Sequence, residues 1–96
     1  MKNAKSILLE YVAEIEKIII EFSYNEENAA ELLKSLKKAM EIKENVSADE
    51  KELFEVCIYN CLATINTSFE QEKKNNQLLM ALTEAKEEMK TISELL

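Results

Sequence analysis

The sequence predicts an all-α protein, a small antiparallel helical bundle of four helices, and three observations carry that prediction. First, 96 residues contain no glycine and no proline, where average usage would place roughly seven and five. The chain therefore lacks both the residue that opens left-handed turns and the residue that forbids helix. Second, apolar residues recur in alternating steps of three and four along most of the length, the spacing of a single helix face. Third, polar clusters with capping chemistry interrupt that spacing near Ser23, near Ser47 and near Asn75, dividing the chain into helix-sized pieces within one domain, 1–96.

The first helix is expected over about 4–22. Ala4, Leu8, Tyr11, Ile15, Ile18 and Phe22 form a heptad-like stripe, which Val12 and Ile19 widen to the breadth of a core-facing bundle helix. Leu9 and Ile20 lie off the stripe, so this helix carries apolar residues on a second side, either sandwiched between neighbours or offered to a partner. A second helix is expected over about 26–44. Either Ser23 with Glu26, or Asn25 alone, can take up its free N–H groups, and Glu26 and Glu27 suit the positive end of the helix dipole. Ala29, Leu33, Leu36 and Met40 share one face, flanked by Leu32 and Ala39. Lys37, Lys38 and Lys43 load the last turns, and Asn45 is the natural terminator where no glycine is available.

Ser47-Ala48-Asp49-Glu50 is a capping box, with Ser47 as the cap, Glu50 three residues later and Asp49 in support, and it opens a third helix over about 48–73. Its apolar residues, from Leu53 and Phe54 through Val56, Cys57, Ile58, Tyr59, Cys61, Leu62 and Ala63 to Ile65, wrap much of its circumference. A helix of that kind is expected in a central position, packed on two or more sides. Beyond it Phe69 is the only large apolar residue before Leu78, and Glu70 with Lys74 forms an i,i+4 pair that carries the helix to about Lys73. The fourth helix, about 77–95, has Leu78, Leu82, Ala85, Met89, Ile92 and Leu96 in register. Short links force neighbouring helices to run back alongside each other. In the alternative arrangement the last two helices merge into one rod of roughly 48 residues, about 70 Å long, and Asn75-Asn76 is where the two pictures part.

Composition also limits the chemistry. The chain has no histidine and no arginine, which removes the imidazole proton shuttle and the guanidinium fork for phosphate. Cys57 and Cys61 are four apart, without the further ligands a tetrahedral metal site needs, and read as small buried core residues of a reducing compartment. Glu27 with Glu31, or Glu52 with Glu55, could hold a hard cation, but a solvated acidic face is the plainer reading. The serines have no imidazole to activate them. No enzyme activity, no cofactor and no metal are expected. No stretch approaches the length of a membrane span, and glutamates interrupt the apolar runs after the N-terminus, so a cytoplasmic protein is expected. Heavy use of Lys, Asn, Ile and Glu suggests an AT-rich bacterial or phage genome.

Nineteen acidic residues against twelve lysines give a net charge of −7. That balance argues against direct binding of nucleic acid or an anionic membrane and for a larger, basic-surfaced partner protein. Tyr24 lies near a helix junction, and Glu52, Glu55 and Tyr59 fall three and four apart on one face. Tyrosine beside carboxylates suits a docking surface, although boundary tyrosines with wet hydroxyls would look the same. The expected function is a non-catalytic protein-binding module that occludes its partner, of inhibitor, immunity or anti-defence type, through Leu9, Ile20, Tyr24, Glu52, Glu55 and Tyr59. The alternatives are a self-associating helical assembly protein, a homodimer included, a secretion-type chaperone, and an acidic mimic of nucleic acid that blocks a nucleic-acid enzyme.

Overall fold

The computed structural model describes residues 3–42, 46–71 and 75–96. The described residues form four helices, α1 (Ala4–Tyr24), α2 (Glu26–Glu41), α3 (Ala48–Gln71) and α4 (Asn75–Leu95). The ends of α1 and α2 have local causes. The Asn3 side chain accepts from the Ser6 N–H at 2.8 Å and caps α1. Asn25 both closes α1, donating its N–H to the Glu21 carbonyl, and opens α2, its side chain accepting from Glu27 at 3.1 Å and Asn28 at 3.3 Å. Of the two caps the sequence offered, the structure therefore uses Asn25, while Ser23 stays in α1 and donates to the Ile19 carbonyl.

The capping box at the start of α3 is put to a different use. Ser47 accepts the N–H groups of Glu50 and Lys51 through its carbonyl, but the Glu50 carboxylate accepts from the Ala4 N–H at 3.2 Å. An acid expected to cap its own helix thus caps the first turn of another, where the positive dipole end favours it equally well. This bond ties the starts of α1 and α3 together at one end of the bundle.

The end of α2 and the start of α4 shift from expectation. α2 stops at Glu41, because Ile42 adopts an extended conformation and donates its N–H to Ala39. Lys43 and Asn45 lie outside the described residues, as do Lys73, Lys74 and the pairing of Lys74 with Glu70. Asn75 and Asn76 belong to the first turn of α4 rather than to a link before it. α3 and α4 fold back along each other, so the merged rod does not form.

Pairs of residues equidistant in sequence from the α1–α2 and α3–α4 junctions meet, which fixes both helix pairs as antiparallel. The Tyr11 hydroxyl donates to the Ala39 carbonyl at 3.0 Å across α1 and α2. Cys61 Sγ reaches the Ala85 carbonyl at 3.7 Å across α3 and α4. The core forms where the expected stripes converge: Leu8, Ile15, Ile18, Leu33, Ile65, Leu82 and Met89 are all buried, and Ile7 joins them from a position the α1 stripe omits.

The four interfaces are unequal. α1 packs most extensively on α4, followed by α3 on α4 and α1 on α2, whereas α2 and α3 barely meet. The residues that α4 buries include Ala81, Ala85 and Ser93, small side chains that let neighbouring helices approach closely. The α2–α3 seam instead has Leu33 and Met40 facing Phe54, Ile58 and Phe69. The ring of helices, 39 × 21 × 20 Å overall, is closed firmly on three sides and loosely on the fourth. α3 is consequently less enclosed than its apolar circumference suggested: Val56, Tyr59 and Ala63 are exposed.

Asn25→Ala is expected to cost about 1 kcal/mol, seen as a fall in Tm of about 4–8 °C, with Asn25→Asp close to wild type. Leu8→Ala, at a position with no exposed surface, is expected to cost about 2–5 kcal/mol in urea unfolding.

Candidate protein-docking surface

The loosely closed seam carries two hollows in line. The first, about 460 Å³, is floored by Met40, Phe54, Ile58 and Leu62, with Glu41, Ile42, Glu55 and Tyr59 at its edge. The second, about 310 Å³, is floored by Leu33, Ile65 and Phe69, with Lys34, Lys37 and Lys38 along one lip. Glu41 borders both. Because α2 and α3 are antiparallel, the two hollows form one groove that runs from an acidic end, at the C-terminus of α2, to a basic end.

Helical spacing explains this layout. The buried stripe of α2, Ala29, Leu33, Leu36 and Met40, is narrow. Lys34, Lys37, Lys38 and Glu41 follow it three and four residues apart and form its flank. On α3 the sequence Glu55, Ile58, Tyr59, Leu62, Ile65 and Phe69 steps along the facing side in the same way. Two large apolar residues at the edge of the acidic end remain exposed, Tyr59 at 76% and Ile42 at 64%.

The structure brings together only some of the residues expected to meet a partner. Glu55 and Tyr59 border the groove, and Glu52 is exposed one turn earlier on α3. Leu9 and Ile20 are exposed on α1, and Tyr24 is exposed at the end of α1; none of the three lines the groove. Ile42 and the three lysines were not expected there. Lys37 and Lys38 were read as partners of the helix dipole and Lys34 was not singled out, although the three-four spacing of these lysines beside Leu33 and Leu36 also marks a flank. Ile42 gave no such signal, because its exposure follows from the end of α2.

Reactive groups lie away from this surface. Cys57 and Cys61 are free and buried. Cys61 Sγ is 3.6 Å from Glu88 Oε2. Its hydrogen bond with Cys57, its burial and the nearby Glu88 carboxylate all push the Cys61 thiol up, so it stays protonated at neutral pH and is a poor nucleophile. Among the described residues no group of three or more Cys, Asp or Glu stands together to hold a metal ion, and no helix is long and apolar enough to cross a membrane. Comparison with known proteins finds no matching family model, no matching curated protein and no matching solved structure.

Leu9→Lys and Ile20→Lys exchange exposed apolar side chains for lysine without a break in helix. Each is expected to leave the free energy of urea unfolding within about 0.5 kcal/mol of wild type, whereas Ile15→Ala, on the inner face of the same helix, loses about 2–5 kcal/mol.

Proposed function

We propose that the chain is a non-catalytic protein-binding module that acts by laying its α2–α3 face over the surface of another protein chain. The observation that carries this reading is the groove, an apolar floor with Ile42 and Tyr59 exposed at its edge, at the seam of the ring where adjacent helices pack least. Fully burying one large apolar side chain is worth about 1.5–3 kcal/mol. A partner that covers these two and fills the hollows therefore gains affinity from the features that serve the isolated fold least. An apolar centre with an aromatic residue, bordered by charged rows, is also how protein interfaces are composed.

The charges refine what the partner must be. A net charge of −7 favours encounter with a basic surface, but Lys34, Lys37 and Lys38 would meet such a surface with like charge. A partner that carries both signs, acidic opposite the lysines and basic opposite Glu41 and Glu55, fits the groove better than one that is basic throughout. Occlusion is the mechanism such a face can supply, since it covers whatever it binds. The lack of imidazole fits a protein that works by contact rather than by reaction.

The test uses three tagged baits, wild type, the double variant Ile42→Glu with Tyr59→Glu, and Leu9→Lys, in extracts of the source organism that also express an untagged copy. A stoichiometric partner, a second copy included, is expected on the wild-type and Leu9→Lys baits and lost from the double variant. Identical recovery on all three baits, or recovery of none, overturns the reading.

A further inference from the structure

The occupant of the groove can be argued from its charge order, an inference that rests on the seam being a docking face. We infer that a second copy of this chain fills it, seated about a two-fold axis that passes between the two hollows.

A two-fold interface must be complementary to itself, because each patch meets the same patch reversed. The groove has this property. Its acidic end carries Glu55, its basic end carries Lys34, Lys37 and Lys38, and Glu41 lies between them on the border of both hollows. Reversal places Glu55 of each copy over the lysines of the other, and does so twice, with each Glu41 near the axis and one turn from Lys38 of its own helix. A copy docked without reversal would set acid on acid and lysine on lysine.

Shape follows the same order. Tyr59 and Ile42 project at the acidic end, and the two-fold operation carries them to the partner's basic hollow, with its floor of Leu33, Ile65 and Phe69. A tyrosine ring placed there meets apolar side chains, and a lysine ammonium from the lip over its open face adds a favourable contact. Two copies of like net charge repel through solvent, but screening at physiological salt confines that repulsion to about 8 Å, so the pattern across the seam decides the outcome.

The test is sedimentation equilibrium of the full chain at micromolar concentration, with two charge-swapped variants. One carries Lys34→Glu, Lys37→Glu and Lys38→Glu; the other carries Glu41→Lys and Glu55→Lys. Helicity by circular dichroism is measured first, and wild-type helicity is expected of both because the changes lie on the rim. The wild type is expected to be a dimer. Each variant alone is expected to self-associate at least about tenfold more weakly, since like charges then face each other. An equimolar mixture of the two is expected to form a heterodimer within about threefold of wild-type affinity, because both halves of its interface regain opposite charges.

A wild type that stays monomeric, or a dimer indifferent to both swaps, overturns the inference. So does a mass above the dimer, or a mixture that fails to pair. A monomer whose groove still captures a different protein in the bait experiment overturns the second copy as occupant while leaving the docking face standing. A monomer with no groove-dependent partner overturns both.

Discussion

The packing of α1 along α4 is the interaction on which the other contacts depend. It is the broadest interface in the molecule, and α4 buries Ala81, Ala85 and Ser93, residues that take up little room. α4 also packs along α3, so it acts as the shared wall between the first and third helices. α2 is attached from the other side, through Asn25 and through the Tyr11 hydroxyl held by the Ala39 carbonyl. With three seams set in this way, the fourth must accommodate the bulkier residues of α2 and α3. The groove is therefore a product of side-chain size around the ring and not a local failure of packing.

The fold was legible because its main signal is short-range and strong. A chain without glycine or proline whose apolar residues step by three and four leaves little choice but helix, and Leu8, Leu33, Leu82 and Met89 are buried on the faces that the stepping marks. Features that depend on how helices meet were not legible. Glu50 obeys the spacing rule of a capping box, yet its carboxylate serves Ala4, a choice decided by the placement of two distant helices. Apolar residues around α3 did not show how many neighbours it has, so Val56 and Ala63 counted toward a helix packed on two or more sides and are exposed.

The candidate site was half legible for the same reason. Glu55 and Tyr59 stood out by their spacing on α3, and they border the groove. The lysines opposite belong to α2, and nothing in their local sequence says that α3 lies beside them. Leu9 and Ile20 gave a correct signal of apolar residues on a second side of α1, and both are exposed. That side faces away from the seam, since α1 packs chiefly on α4 and α2.

Asn25 has a consequence beyond its two caps. It is the single residue between α1 and α2, and its extended backbone, φ −158° and ψ 105°, is all that separates a hairpin from a continuous rod of about 57 Å. If those two angles turned helical, α2 would be carried off its own bundle and delivered to a neighbouring molecule, the usual route by which short hinges exchange an element between chains. The asparagine side chain opposes that conversion by binding Glu27 and Asn28 only while the backbone stays extended. Whether the molecule keeps its own second helix or trades it is thus decided at one backbone position.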